Sequence, residues 1–339
     1  MTEVSYILIS LFVCYVIHAL LNIYKHPKHT NSNHVFEKKN KIPISVNFHF
    51  TRKCNYECGF CFHTAKSSDI PTIENAKQAL RKLSESGMKK INFAGGEPFL
   101  YPKYLADLMN FCKNELKLES VSIVSNGSKI KRTWLQKNRD NLDILAISCD
   151  SFNEETNIEI GRGLGQHTEN LYEIAKWCHQ LGIKFKLNTV VNSLNWDEDM
   201  NKHIEILAPF RWKCFQVLIL ENENGGLEGT LRDARRFEIS KEKFEAFVKT
   251  HENQKSLVKE PNDVMKNSYL ILDEKLRFLN CTESNKVPSE SLLDVDVDTA
   301  LHQAGWDENA FLQRQGIYNW SKTPTNSCTE ANDLKKFDW

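Results

Sequence analysis

The sequence has no excess of charge of either sign. Its 339 residues include 44 Lys and Arg and 44 Asp and Glu. A balanced chain has no overall field that attracts it to a polyanion, so we expect no direct binding to nucleic acid. The sequence also has no repeat of fixed length, which excludes solenoids and propellers. The apolar fraction of 41% is ordinary and can fill the core of one large α/β domain or two smaller ones.

The sequence also lacks the spacing of a disulfide framework. Ten cysteines are present, but only three of them lie close together. The others are scattered singly, several inside apolar strand-like or helix-like runs, where cysteine behaves as a small hydrophobe. This distribution is typical of a protein in a reducing compartment.

The N-terminal segment differs from the rest of the chain. Residues 4–24 carry no formal charge unless His18 is protonated, and their length is close to the roughly 20 residues that cross a bilayer core. We expect residues 1–24 to form a membrane-associating helix. Residues 25–42 are polar and basic, which predicts a linker on the cytosolic side. The sequence does not separate a spanning from an interfacial helix, and a core helix is the alternative.

From residue 44 onward, apolar strand-like runs alternate with helix-like runs. Six strand–helix units in succession predict a parallel sheet with helices outside it. The predicted strands cover residues 44–50, 89–94, 120–125, 142–150, 183–191 and 212–220. The predicted helices cover residues 72–87, 102–116, 168–181 and 199–208.

Polar side chains interrupt these strands in a regular pattern. In the first strand, Val46 and Phe48 alternate with Asn47, and a barrel directs alternate side chains into its lumen. The polar residues at equivalent positions of the later strands are Lys90, Lys186, Asn188 and Lys213. Because an unpartnered buried lysine is costly, these residues predict a wet cavity for a polyanion such as a phosphate chain. For each single lysine, a solvent-exposed position at a strand end is the alternative.

Three cysteines with the spacing Cys-x3-Cys-x2-Cys follow the first predicted strand directly. They are Cys54, Cys58 and Cys61. A cubic four-iron cluster is usually held by four thiolates, so three thiolates leave one iron free to chelate an amino group and a carboxylate. Parallel barrels carry their chemistry at the C-terminal ends of strands, where this loop lies. A structural zinc site with His63 as fourth ligand is the alternative.

The cysteine spacing resembles the signature of the radical S-adenosylmethionine (SAM) superfamily, and GGEP at residues 95–98 follows the second strand as in that superfamily. Within it, the chain resembles the viperin-like enzymes from about Asn47 to Trp339. This resemblance implies a partial (β/α)6 barrel over residues 43–255 and a C-terminal extension over 256–339 that closes the nucleotide site. The motifs that carry it are NFHFTRKCNYECGFCFHTAK, KINFAGGEPFL, VSIVSNGS, LDILAISCDSF, IGRG, NSYLILDEKLRFLNC and KKFDW.

The resemblance implies a [4Fe–4S] cluster on the three cysteines, with bound SAM. It places the SAM ammonium at Gly95, Gly96 and Glu97. It places the SAM carboxylate at Arg162, aided by Ser148, because a bidentate arginine suits that geometry. The SAM ribose is expected at Ser125 and Asn126, and the adenine near the Phe60 backbone. The implied nucleotide contacts are Asn47, Lys90, Lys186, Asn188 and Lys213.

Viperin-like enzymes convert a pyrimidine ribonucleoside triphosphate, CTP or UTP, to its 3′-deoxy-3′,4′-didehydro form, an antiviral terminator of RNA chains. The implied reaction removes the 4′ hydrogen, releases the 3′-hydroxyl as water and is completed by one electron and one proton. Tyr269 is the candidate relay for that last step, and a packed tyrosine is the alternative. The sequence does not decide between CTP and UTP.

The resemblance also implies partners and a location. Trp339 is expected to recruit the cytosolic iron–sulphur assembly machinery, because a terminal aromatic residue suits a partner's pocket. The expected location is the cytosolic face of the endoplasmic reticulum and lipid droplets. Two other functions stay open: a membrane-tethered interaction protein with an inactive SAM site, and another radical SAM enzyme.

Overall fold

The computed structural model describes residues 41–280 and 287–322, which belong to one compact unit beginning at Lys41. The expected membrane helix at residues 1–24, almost all of the linker and Trp339 lie outside these residues. Among the described residues, no helix is long and apolar enough to cross a membrane.

Ten strands and eleven α-helices are assigned in the described part of the chain, with short 3₁₀ turns at Pro98–Leu100, Arg139–Asn141 and Arg235–Phe237. The strands are β1 Ser45–His49, β2 Lys90–Ala94, β3 Ser120–Ser125, β4 Ile144–Ser148, β5 Lys184–Val191, β6 Arg211–Gln216, β7 Leu257–Glu260, β8 Ile271–Leu272, β9 Arg277–Leu279 and β10 Pro288–Ser291. The helices are α1 Ile73–Glu85, α2 Pro102–Asn110, α3 Arg132–Asn138, α4 Glu154–Ile160, α5 His167–Leu181, α6 Asn201–Leu207, α7 Glu221–Asn224, α8 Lys241–Thr250, α9 Asn262–Met265, α10 Val297–Ala304 and α11 Glu308–Gln313.

All ten strands form one sheet, in the order β10-β9-β8-β1-β2-β3-β4-β5-β6-β7. Each neighbouring pair from β1 to β7 is parallel, β8 is parallel to β1, and β9 and β10 are antiparallel additions. The predicted α/β fold with a parallel sheet is therefore confirmed.

The sheet extends beyond the six predicted strands on both sides. β7 pairs with β6, and β8 pairs with β1, so residues after 256 add strands at both edges. β7 was not predicted as a strand because two of its four residues, Lys259 and Glu260, are charged.

Helix α1 illustrates how the helices cover the sheet. The Thr72 side chain accepts a hydrogen bond from Asn75 N and so caps the helix. Its apolar face, which includes Leu80 and Leu83, is fully buried. Helix α2 is shorter than predicted, because the chain continues from Phe111 to Glu115 as a π-helical turn. The ends of β4 and β6 also differ from the prediction by one to four residues.

The strand registers place the polar residues of the sheet on one face. Val46 and Phe48 point to the opposite face and are fully buried. This polar face confirms the alternation that the sequence predicts. Its in-register pairs include Asn47–Asn92, Asn92–Ser122, Lys186–Arg211 and Asn188–Lys213.

Candidate active site

The cysteine loop, residues 54–61, packs directly against the turn that follows α4. Glu57 N donates to Gly161 O at 3.0 Å, and Gly59 N donates to Ile160 O at 2.9 Å. Gly161 has a φ of +88°, and a Cβ there would lie 2.5 Å from Glu57 O. Glycine is therefore required at position 161 for its backbone conformation and for its contact with the cysteine loop.

The two glycines of GGEP are also required by backbone contact. Gly96 N donates to Thr51 O at 2.7 Å, and Glu97 N donates to Lys53 O at 2.8 Å. A Cβ on Gly95 would lie 2.2 Å from Thr51 O, and one on Gly96 would lie 2.1 Å from Lys53 O. The sequence argument assigned these glycines to ligand approach. The structure gives them a further cause, since the chain entering the cysteine loop crosses them.

The Glu97 carboxylate joins the β2 and β3 ends of the site. Its Oε1 accepts from Phe99 N at 2.9 Å and from Ser125 Oγ at 2.8 Å, and its Oε2 accepts from Asn126 N at 2.8 Å. Burial raises the pKa of Glu97 to about 6, and these three hydrogen bonds oppose the rise. Glu97 and Ser125, expected at the SAM ammonium and ribose, therefore also bind each other.

The three thiols of the cysteine loop are free and partly exposed. Tyr56 N donates to Cys54 Sγ at 3.4 Å, and Asn126 Nδ2 lies 3.8 Å from the same sulphur. Burial raises the pKa of Cys58 to about 12, so binding to metal must supply the free energy of its deprotonation. Three free thiols on one loop are the donor set that an iron–sulphur cluster requires.

Across residues 41–280 and 287–322, no three His, Cys, Asp or Glu side chains are grouped closely enough to hold a single metal ion. A cubic cluster takes one thiolate at each iron corner, so its ligands do not converge on one ion. The residues present therefore fit the cluster. His63, the fourth ligand in the zinc alternative, is buried with its ring centroid 4.5 Å from that of His49.

Arg162 lies beside the cysteine loop and is buried. Its Nε donates to Asp150 Oδ2. Burial lowers the pKa of Arg162, but Asp150 and Cys58 outweigh this effect and raise it, so the guanidinium is charged. Ser148, at the end of β4, accepts a hydrogen bond through its carbonyl oxygen from His167 Nε2, or donates none, at 2.9 Å. Arg162 and Ser148 therefore flank one side of the site.

Phe60 is fixed from two sides. Its ring packs edge-on against Phe237 with centroids 5.5 Å apart, and its carbonyl oxygen accepts from Asn224 Nδ2 at 2.8 Å. The loop that carries Asn224 therefore supports the cysteine loop from outside.

The inner part of the polar face is crowded with cations. Lys213 Nζ forms a buried ion pair with Glu260 and donates to Tyr269 OH at 2.9 Å. Arg314 lies over the Tyr269 ring at 3.8 Å from its centroid, and its Nη1 lies 3.6 Å from Glu260 Oε1. Burial, followed by repulsion from Lys213 and other cations, lowers the pKa of Lys186 well below its ordinary value.

Two side chains here have unused polar groups. Lys186 makes no hydrogen bond within the described residues, and neither does the buried Oδ1 of Asn188. Asn47 is already engaged: its Nδ2 donates to Leu270 O at 3.2 Å and its Oδ1 accepts from Asn92 Nδ2 at 3.2 Å. Unpartnered polar groups beside several cations favour a polar anionic ligand.

Lys90 lies at the other end of the sheet from the cysteine loop, as the first residue of β2. It is nevertheless buried, with Nζ donating to Ser120 Oγ at 3.2 Å and to Ser122 Oγ. Burial lowers its pKa to about 7. The strand-end alternative is therefore right about the position of Lys90 and wrong about its exposure to solvent.

Four charged residues of the site were not identified from the sequence. Arg211 is in register with Lys186 and could have been found by the same alternation. Asp150, Glu260 and Arg314 gave no signal, because their partners lie far along the chain.

Comparison with known proteins agrees with this site. The radical SAM superfamily model matches residues 48–207. A Danio rerio protein named S-adenosylmethionine-dependent nucleotide dehydratase RSAD2 is 55% identical over 284 residues, which cover 83% of this chain and 79% of that protein. An Oncorhynchus mykiss protein of the same name is 52% identical, covering 86% and 84%. A nucleotide dehydratase of Flammeovirga pacifica is 34% identical, covering 83% and 97%.

Solved structures support the fold. Streptococcus suis SuiB bound to S-adenosylmethionine has a TM-score of 0.57 at 17% identity, covering 81% of this chain and 68% of that chain. The enzyme anSMEcpe bound to AdoMet has a TM-score of 0.57 at 14% identity, covering 80% and 82%. The chain therefore belongs to the radical SAM superfamily, whose members use a [4Fe–4S] cluster and SAM, and within it to the family of SAM-dependent nucleotide dehydratases.

Proposed function

We propose that this enzyme dehydrates a pyrimidine ribonucleoside triphosphate, CTP or UTP, after reductive cleavage of SAM. The observation that carries the proposal is the polar face of the sheet, which bears Lys90, Lys186 and Lys213. A triphosphate supplies the negative charge that these buried cations lack. The names of the relatives support a nucleotide as the substrate.

The residues of the chain divide the work. Cys54, Cys58 and Cys61 would hold the cluster, and Arg162 would receive the SAM carboxylate. The bound cluster and SAM supply a deoxyadenosyl radical that removes the 4′ hydrogen of the ribose. The lysines would hold the triphosphate and thereby fix the ribose, while the buried sheet face excludes water.

The remaining contacts follow the family resemblance. Gly95, Gly96 and Glu97 would hold the SAM ammonium, and Tyr269 would supply hydrogen in the last step. The product lacks a 3′-hydroxyl, so it would end an RNA chain, which supports an antiviral role. Membrane attachment through residues 4–24 at the endoplasmic reticulum or lipid droplets, and recruitment of the iron–sulphur assembly machinery through Trp339, stay predictions from sequence.

The test is anaerobic reconstitution with iron and sulphide, followed by incubation with reductant, SAM and one nucleotide at a time. We expect 5′-deoxyadenosine and a nucleotide that has lost one water, with CTP or UTP only. Cys58→Ala should abolish both products and lower the iron content. Cys178→Ala is the matched control, because Cys178 is buried in α5 away from the loop.

Two results would contradict the proposal. Absence of deoxyadenosine with every nucleotide, from protein that carries the cluster, would favour a tethered interaction protein. Deoxyadenosine without any dehydrated nucleotide would favour another radical SAM reaction.

A further inference from the structure

We propose that Asp150 is a positioning residue, which holds Arg162 in the orientation that receives the carboxylate of SAM. The inference rests on the binding of SAM at this site, as in the proposed function. It assigns a role to a residue that was not identified from the sequence and that touches neither the cysteine loop nor the polar face by a hydrogen bond.

The Asp150 carboxylate is fixed at both oxygens. Its Oδ2 pairs with Arg162 Nε, and its Oδ1 accepts from Val190 N of β5 at 2.9 Å. Its main-chain oxygen also accepts from Asn195 Nδ2 at 2.5 Å. Asp150 is fully buried. The carboxylate therefore cannot rotate without losing a hydrogen bond that water cannot replace.

This grip leaves the working end of Arg162 available. Asp150 takes the Nε edge of the guanidinium, and the two terminal nitrogens make no hydrogen bond within the described residues. A guanidinium binds a carboxylate best through two parallel hydrogen bonds. With Nε already used, the pair of terminal nitrogens is the edge that can make both.

Arg162 is also fixed relative to the cysteine loop. Its own N donates to Asn157 O at 2.7 Å, and the preceding Gly161 O accepts from Glu57 N at 3.0 Å. The guanidinium therefore has a defined place with respect to the cluster ligands. This is the geometry needed to bind one amino acid through a metal ion and an arginine together.

A purely structural role for Asp150 would make it only a link between β4 and β5. Asp150→Asn separates the two roles, because the amide offers one acceptor oxygen in place of two. Its NH₂ group must then face either Arg162 Nε or Val190 N–H, and both of these are donors.

The experiment uses anaerobically reconstituted full-length protein without reductant, so that no turnover occurs. The dissociation constants for SAM and for CTP are measured by calorimetry in wild type, Asp150→Asn, Arg162→Ala and the double variant. We expect Asp150→Asn to weaken SAM binding by about tenfold, as is common when an outer partner of a ligand-binding group is removed. CTP binding should not change, and the double variant should bind SAM no more weakly than Arg162→Ala.

Glu198→Gln is the matched control. Glu198 binds Ser151 Oγ at 2.6 Å and Phe152 N at 2.8 Å, beside Asp150, but it forms no ion pair with Arg162. We expect its SAM affinity to equal that of wild type. If Asp150→Asn does not fold, Asp150→Glu keeps the charge and both oxygens but displaces the guanidinium, and it should weaken SAM binding in the same direction.

Unchanged SAM affinity in the folded Asp150 variant would overturn the inference, and so would equal losses for SAM and CTP. A full additional tenfold loss in the Arg162→Ala background would also overturn it, because Asp150 would then act independently of Arg162. Failure of wild-type protein to bind SAM at all would instead refute the proposed function, and the inference with it.

Discussion

Lys213 and Glu260 form a buried ion pair between β6 and β7, and Arg314 Nη1 lies 3.6 Å from the same carboxylate. One carboxylate thus serves two buried cations. The second oxygen of Glu260, Oε2, is buried without a hydrogen bond among the described residues. Glu260 therefore neutralises only part of the positive charge on this face, and the remainder favours an anionic ligand.

We predict that Glu260→Gln lowers the free energy of unfolding by about 3–5 kcal/mol, the usual effect of removing one partner of a buried ion pair. The loss arises because Lys213 and Arg314 are left without a counter-charge. CTP supplies negative charge in the same region, so its stabilising effect should be larger in the variant than in wild type. Urea unfolding with and without CTP measures both effects.

The control for this prediction is Glu245→Gln. Glu245 pairs with Lys259 at 3.5 Å, but both side chains are largely exposed, at 41% and 56%. Water screens such a pair, so we expect a change within about 1 kcal/mol. An equal loss of stability in the two variants would contradict the special role of Glu260.

The pKa of Lys90 predicts a pH dependence of nucleotide binding. Burial lowers this pKa from its ordinary value of 10.5 to about 7. Between pH 7 and 10.5 the unfolded chain binds more protons at Lys90 than the folded protein does. Lys90 therefore makes the nucleotide-free protein more stable as the pH rises through this range. A triphosphate prefers the charged ammonium, so affinity for CTP should fall as the pH rises above 7.

Calorimetric titrations with CTP from pH 6 to 8.5 measure this effect. Lys90→Arg keeps a fixed charge and should flatten the part of the profile that Lys90 causes, while ionisation of CTP itself affects both proteins equally. Identical profiles for wild type and Lys90→Arg would show that Lys90 does not titrate with binding.

The sequence predicts those parts of the site that depend on local order along the chain. Alternation within β5 places Lys186 and Asn188 on one face, and the spacing of three cysteines predicts their shared loop. The pairing of Lys213 with Glu260 spans 47 residues and uses a strand of only four residues. No local pattern encodes such a contact, because it arises when the sheet assembles.

The GGEP glycines show the same division. The motif can be recognised in the sequence, but the contact of Gly96 with the Lys53 carbonyl is visible only in the structure. The sequence therefore indicates that glycine matters at this position. The three-dimensional contact gives the reason, and the reason leads to a different experiment.

We predict that Gly96→Ala displaces the cysteine loop and lowers the iron content after reconstitution. The added Cβ would lie 2.1 Å from Lys53 O, and a backbone atom cannot move aside as a flexible side chain can. Gly182→Ala is the control, because a Cβ there meets nothing within 4 Å among the described residues. Its φ of +68° should cost about 1 kcal/mol in stability without changing iron content. Full iron loading of Gly96→Ala would contradict the prediction.

Tyr269→Phe tests whether this tyrosine takes part in the last step. Its hydroxyl accepts from Lys213 Nζ at 2.9 Å, and burial raises its pKa, so the phenol keeps its proton at neutral pH. If Tyr269 supplies hydrogen, the variant should still form deoxyadenosine but yield several-fold less dehydrated nucleotide. The ratio of the two products, measured by mass spectrometry, is independent of how much protein is active.

Tyr104→Phe provides the comparison for that ratio. The Tyr104 hydroxyl is buried without a hydrogen bond among the described residues, and its ring packs against Phe50, on the face of the sheet opposite to the polar one. Its removal should leave the ratio at the wild-type value. Should Tyr269→Phe lower both products in proportion, the tyrosine would act only in packing and in orienting Lys213. Hydrogen would then have to reach the product radical from another donor, because a phenylalanine ring has none to give.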